Sequence, residues 1–171
     1  MNSIDAILED NMAATAEFLE VASRCEEVWN APRTAGAWTP AQVAEHVALT
    51  LEEGAAVVSS RPSGFPRFPA IFRPLARLLY YNPTLRKRAF PRSRTTAALE
   101  PSSTATTLEE SDARLQAAVR TFNQACRDRL ANGRPLDHPV FGIISVESYA
   151  QFQALHTRHH RAQLPSTGHD P

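Results

Sequence analysis

Two observations of the sequence predict an all-α protein, a four-helix bundle in one domain. Four long segments place apolar residues at the spacing of amphipathic helices, and no alternating strand pattern is sustained between them. A stretch rich in proline and arginine, residues 61–101, interrupts the pattern between the second and third helices. We therefore expect a bundle over residues 1–165 with one long connection, followed by a disordered tail at 166–171.

The first two helices are indicated by periodicity and by an N-terminal cap. Apolar residues recur at helical spacing over residues 4–29, which predicts the first helix. Residues 39–42 (TPAQ) place a threonine cap, a proline at the first helical position and a glutamine at the third. The second helix is therefore expected over residues 40–59, with His46 and Gly54 on its apolar stripe.

The connection between the second and third helices cannot be one long helix. Residues 61–101 contain seven of the thirteen prolines, and proline in a helix interior removes a hydrogen bond and clashes with the preceding turn. Short helical turns are predicted at residues 72–81 (FRPLARLLYY) and 83–90 (PTLRKRAF).

Capping residues also delimit the third and fourth helices. Thr107 with Glu110 three residues later forms a capping box at the start of the third helix. Gly133 is a suitable C-terminal cap at the end of the same helix. A turn-rich connection leads to Ser145, the expected N-cap of the fourth helix, which Pro165 ends.

Charge is unevenly distributed along a chain of zero net charge. Residues 61–94 contain nine Lys or Arg and no Asp or Glu, so the remainder carries nine basic and eighteen acidic residues. This basic segment is either a solvated connection packed against acidic helices or a binding surface for an anionic substrate or a membrane lipid. Nucleic acid is disfavoured as a partner because no recognition motif accompanies the charge.

Cysteine usage and the N-terminus favour a cytoplasmic protein. Cys25 and Cys126 lie 101 positions apart in helical patterns without a C-x-x-C motif, which favours two reduced thiols packed in the core over a disulfide or a nucleophile. The first ten residues are acidic and do not have the pattern of a signal peptide. No apolar run is long enough to span a bilayer.

Three histidines are candidate metal ligands. His156 and His160, four residues apart, share a face of the fourth helix, and His46 lies on the apolar stripe of the second. Three neutral imidazoles from two helices would hold a divalent ion with one coordination position open, and a core role for each histidine is the alternative. Zinc is the first expectation, although nickel, iron and manganese also accept imidazole.

Three stretches of the sequence resemble the DinB-like (YfiT-like) superfamily of metal-binding four-helix bundles. Residues 38–47 (WTPAQVAEHV) resemble the segment that supplies the second-helix histidine. Residues 156–164 (HTRHHRAQL) resemble the motif H-x-x-x-H-R-G-Q, with Ala162 in place of glycine. Residues 137–152 (DHPVFGIISVESYAQF) resemble the H-P-x-F-G lead-in of a branch of uncharacterised function.

The resemblance implies a divalent-metal site formed by His46, His156 and His160. It also implies chemistry, since characterised relatives include transferases and isomerases that use low-molecular-weight thiols. We therefore expect a small-molecule substrate, an electrophile attacked by a thiol cofactor. The alternative is a non-catalytic metal-binding bundle that acts as an interaction protein through residues 61–94. A homodimer is plausible under either interpretation, since bundles often pair through a helix face, and a membrane surface is the less favoured partner.

The remaining polar residues near these motifs have simpler interpretations. His138, in the turn HPVFG, either packs to set the angle of the fourth helix, which we favour, or lies near the metal. His159 is expected at the rim, about 100° around the helix from His160. Gln163 could orient a histidine or line the bundle. Arg158 and Arg161 are expected to be solvated, with anion binding as the less favoured alternative. Glu45 should point away from its neighbour His46, which disfavours a hydrolase with its own glutamate base.

Overall fold

Four long helices form the bundle in the computed structural model, which describes residues 3–91, 95–102 and 104–165. The long helices are α1 (Ile4–Ser23), α2 (Pro40–Val58), α5 (Leu108–Ala131) and α6 (Val146–Arg161). Between α2 and α5 lie the short helices α3 (Arg73–Ala76) and α4 (Asn82–Lys87), the π-helical turn Arg77–Tyr81 that joins them, and the 3-10 turn Ala97–Leu99. The predicted all-α bundle is confirmed, and the predicted tail at 166–171 lies outside the described residues.

The core lies where α1 and α2 each pack against both α5 and α6. Its largest fully buried side chains come from all four helices and include Phe18, Leu51, Phe122 and Tyr149. Burial of such a side chain contributes about 1.5–3 kcal/mol. The four amphipathic stripes predicted from the sequence therefore meet in one core.

The predicted caps are present with their hydrogen bonds. The Thr39 hydroxyl accepts from the Gln42 backbone N–H at 3.1 Å, and the Gln42 side chain accepts from the Thr39 N–H at 3.0 Å. Thr107 and Glu110 repeat this reciprocal pair at the start of α5. The Ser145 hydroxyl accepts the N–H three residues on and begins α6. These local signals fix where the helices that carry the histidines begin.

The first helix is shorter than predicted. It ends at Ser23, and a 3-10 turn, Glu26–Val28, follows. Cys25 and Trp29 are nevertheless buried, so the apolar periodicity continues past the point where the α-helix stops. The fourth helix likewise ends at Arg161, four residues before Pro165.

A β-hairpin occupies the connection in which no strand was predicted. Strands β1 (Leu136–His138) and β2 (Gly142–Ile144) pair antiparallel. Each strand has three residues, too few to give an alternating pattern that stands out in the sequence. Gly142 has a φ of +70°, a conformation that glycine adopts without strain. The hairpin leads directly into the Ser145 cap and so sets where α6 starts.

Helices α2 and α6 approach each other closely at Gly54. A Cβ atom at this position would lie 2.8 Å from Nε2 of Gln153 and 3.2 Å from the Tyr149 hydroxyl. Only a residue without a side chain leaves room for both groups. This close approach of the two histidine-bearing helices lies about two helical turns from His46 on α2.

No helix among the described residues combines the length and the apolar character needed to cross a membrane.

Candidate metal centre

The three predicted histidines come together between α2 and α6. His46, His156 and His160 each offer a ring nitrogen, and these nitrogens lie within 4.8 Å of one another. The ring centroids are 4.4–5.2 Å apart. Among the residues that the structure describes, these are the side chains of histidine, cysteine, aspartate or glutamate grouped closely enough to share an ion.

His46 has its ring orientation fixed by the connection between α2 and α5. Its Nδ1 lies 2.7 Å from the carbonyl oxygen of Leu99, in the 3-10 turn Ala97–Leu99. A carbonyl oxygen only accepts, so Nδ1 carries the proton and Nε2 presents its lone pair. A backbone carbonyl on the outer nitrogen is the usual support of a metal-binding histidine. The sequence held no signal for Leu99, because any residue has a carbonyl.

His160 is oriented in the same way by a side chain. Its Nδ1 lies 2.9 Å from Oε1 of Gln163, which accepts a hydrogen bond from the Nδ1–H, so Nε2 is unprotonated. The amide nitrogen of Gln163 lies 3.2 Å from Nε2 of His159 and donates to it. Gln163 therefore orients His160, as the sequence suggested, and His159 at the half-buried rim holds Gln163 in turn.

His156 completes the donor set, and its geometry suits a shared cation. Its Nε2 lies 3.1 Å from Nε2 of His160, slightly closer than the about 3.3–3.4 Å that separates two nitrogens bound to one tetrahedral zinc ion. Nδ1 of His156 is buried without a hydrogen-bond partner. A cation between the two Nε2 atoms would accept both lone pairs. The residues present thus fit a divalent metal.

Burial keeps all three imidazoles neutral near pH 7. Loss of solvent lowers the pKa of His46 and lowers that of His156 well below its usual value. The pKa of His160 falls to about 3, chiefly through burial and secondarily through His46. The neutral ring is the form that binds a metal, so no proton has to be displaced at physiological pH.

Aromatic rings surround the histidines. The ring of Trp38 lies 5.0 Å from that of His46, and the ring of Phe90 lies 5.2 Å from that of His156 and 5.4 Å from that of His159. Phe90 belongs to the basic segment, and its place in the site had no signal in the sequence beyond its apolar character. The site is therefore lined by flat apolar faces and by imidazole.

The carboxylate closest in sequence to a candidate ligand points elsewhere, as predicted. Glu45 Oε2 accepts from the backbone N–H and from the hydroxyl of Ser102, at 2.9 and 3.0 Å. Glu45 thereby anchors the chain segment that brings the Leu99 carbonyl to His46.

The expectation that Arg158 and Arg161 are solvated is wrong. Arg158 donates to both Asp10, at 2.7 Å, and Glu17, at 3.0 Å, and Arg161 lies 2.5 Å from Glu17. These pairs connect α6 to α1, and Arg158 holds the pKa of both carboxyls below the usual range, mainly through its hydrogen bonds. The acidic partners lie more than 140 positions away, which helical periodicity cannot reveal.

His138 belongs to the hairpin turn, as favoured from the sequence. Its Nδ1 accepts from the backbone N–H of Val140 at 3.1 Å, and its ring packs against Phe65, Phe141 and Tyr149. Burial lowers the pKa of His138 to about 3. The interpretation of HPVFG as a packed turn is confirmed.

Both cysteines are free and buried, as predicted. Burial raises the pKa of Cys25 and raises that of Cys126 to about 12. Neither thiol is therefore an available thiolate near neutral pH.

A helical bundle with three neutral histidines converging from two of its helices is a fold of the kind that holds a divalent ion. A family model described as the DinB superfamily matches residues 7–164, nearly the whole chain. The chain belongs to the DinB superfamily. No curated protein and no solved structure matches it.

Proposed function

We propose that this protein binds one divalent ion through His46, His156 and His160 and uses it to transfer a small electrophile to a low-molecular-weight thiol. The observation that carries the proposal is the convergence of the three ring nitrogens within 4.8 Å. Zinc is the first choice of metal, and nickel, iron and manganese also accept imidazole.

The donor set favours a reactive site over a structural one. Structural zinc sites have four protein ligands, whereas three protein ligands leave a position for a water or a substrate. A divalent ion held in this way lowers the pKa of a thiol or water bound at the open position. The hydrogen bonds that His46 and His160 donate to the Leu99 carbonyl and to Gln163 hold the rings in place, and Trp38 and Phe90 provide apolar faces that exclude water.

The thiol must come from outside the chain. Cys25 and Cys126 are buried and have raised pKa values, so neither can serve as the nucleophile. In the transfer, the S–H bond breaks and the proton passes to solvent while sulfur forms a bond to the electrophilic carbon. The leaving group departs with the electron pair of its own bond to that carbon.

Cobalt substitution tests this proposal directly. Titration of the cobalt protein with glutathione should produce a sulfur-to-cobalt charge-transfer band, while S-methylglutathione, which lacks the thiol, should not. The double variant Cys25→Ala/Cys126→Ala should keep the band, because the protein's own thiols are not involved.

A spectrum unchanged at saturating thiol, tested also with a structurally distinct thiol such as cysteine, would contradict thiol ligation. A band that disappears in the cysteine double variant would assign the sulfur to the chain itself. Loss of cobalt in His46→Ala would separate failure of metal binding from failure of thiol binding.

A further inference from the structure

Exposed large apolar side chains are concentrated on one part of the surface. Among the described residues, seven of the nine large hydrophobic side chains that are exposed belong to the basic segment or to the hairpin beside it, and they are 38–77% exposed. We name them the apolar patch: Phe68, Ile71, Phe72, Leu75, Leu78, Leu79 and Ile143. A concentration of exposed apolar side chains of this kind is typical of an interaction site.

The helical part of the patch is apolar on two faces. Residues 73–87 run through α3, the π-helical turn and α4 without a break. The inner face buries Tyr81 and Thr84 against the bundle, and the Tyr81 hydroxyl lies 2.9 Å from that of Ser148. The outer face presents Leu75, Leu78 and Leu79, three and four residues apart, to solvent. A helix that is apolar on both faces requires a partner on both.

Hydrogen bonds hold the patch against the hairpin. Arg77 donates to the carbonyl of Ile143, and Phe68 donates its N–H to the carbonyl of Pro139 at 3.1 Å. Arg73 donates to the carbonyl of Phe68 at 2.7 Å and forms an ion pair with Asp137 at 3.3 Å. The outward apolar face is therefore a fixed feature of the fold.

Positive charge borders the patch. Residues 61–91 contain no Asp or Glu, and Arg61, Arg86 and Lys87 are exposed. Arg67 is also exposed and lies 3.9 Å from Asp137, and Arg88 is close enough to Asp10 to lower the pKa of that carboxyl. Arg86 and Lys87 lie in the last turn of α4, which continues the helical segment that carries Leu78 and Leu79.

We infer that the apolar patch, with its basic border, is a peripheral docking surface for anionic lipid membranes. Large aliphatic and aromatic side chains enter the boundary between headgroups and acyl chains, while arginine and lysine bind lipid phosphates. A second copy of this chain fits less well, because two-fold pairing of the patch would bring the same basic borders together.

Vesicle flotation of the full chain tests the inference. Association is expected with phosphatidylcholine vesicles containing phosphatidylglycerol, and not with phosphatidylcholine alone, at about 20 mM salt and to a much smaller extent at about 500 mM. The variant Leu78→Gln/Leu79→Gln should weaken binding at least about tenfold, as should Arg86→Gln/Lys87→Gln.

Matched controls change exposed residues elsewhere. Met12→Gln/Val28→Gln removes two exposed apolar side chains outside the patch, and Arg24→Gln/Arg33→Gln removes the same charge outside the basic segment. Both controls should bind vesicles as the unaltered protein does, and all variants should keep its circular dichroism.

Three results would overturn the inference. The first is that the unaltered protein does not associate with anionic vesicles at low salt. The second is that it binds neutral vesicles as well as anionic ones, and the third is that the control variants lose as much binding as the patch variants. A dimer in sedimentation velocity that Leu78→Gln/Leu79→Gln dissociates, without any vesicle binding, would instead assign the patch to a second copy.

Discussion

Protonation of His138 should make the fold sensitive to acid in a measurable way. The ring is buried between Phe65, Phe141 and Tyr149, and its Nδ1 accepts from the N–H of Val140. In the fold, the charged imidazolium is not hydrated by water, and its protonated Nδ1 can no longer accept the hydrogen bond from the Val140 N–H. Protonation therefore favours the unfolded chain, in which the imidazole is free in water.

The magnitude follows from linkage. The pKa of His138 is about 3 in the folded protein against 6.5 for the unperturbed group. Since the folded pKa is depressed, the unfolded chain binds more protons below 6.5, and stability falls as the pH drops from there towards 3. At about pH 5 the free energy of unfolding should be lower by about 2 kcal/mol through this group alone. This figure depends almost entirely on the unfolded pKa, because pH 5 lies well above the folded value.

Urea unfolding of the protein and of His138→Asn, at about pH 7.5 and about pH 5, measures the effect. Asparagine keeps an acceptor for the Val140 N–H but does not titrate in this range. Between the two pH values, the free energy of unfolding should fall by about 2 kcal/mol more in the unaltered protein than in the variant, since the other histidines are common to both. The same loss in both proteins would show that His138 is not buried as a neutral ring.

Three further substitutions test the packing and the site. Gly54→Ala should destabilise the fold by about 1–3 kcal/mol in urea, because its Cβ would clash with Gln153; an unchanged midpoint would mean that the helices stand further apart. Arg158→Met should lower the free energy of unfolding by about 1 kcal/mol in low salt and by less in high salt, because its ion pairs are partly exposed. A decrease that does not depend on salt would contradict an ionic contribution. Gln163→Leu should weaken zinc binding about 10–100-fold in chelator competition, because His160 loses the acceptor that orients it; unaltered affinity would show that Gln163 does not support the site.

The parts of the fold that the sequence revealed are those encoded locally. The caps at Thr39, Thr107 and Ser145 each depend on residues at most three positions away, and all are formed as predicted. The face shared by His156 and His160 likewise follows from helical geometry alone.

The features that escaped prediction depend on distant parts of the chain or on weak patterns. The Leu99 carbonyl reaches His46 across 53 positions, and backbone acceptors carry no sequence signal. Arg158 pairs with Asp10 across 148 positions. The predicted end of α1 is too late because Cys25 and Trp29, on either side of the 3-10 turn Glu26–Val28, are buried like residues of an α-helix. The burial pattern there does not distinguish an α-helix from a 3-10 turn.

The measurement that most directly tests the metal centre is elemental analysis of the purified protein beside His46→Ala and His160→Ala, with His138→Asn as the control. We expect about one divalent ion per chain in the unaltered protein and the control, and none in either alanine variant while helical circular dichroism is retained. Absence of metal from the unaltered protein even after reloading with zinc, nickel, iron and manganese, or an undiminished content in both alanine variants, would contradict it.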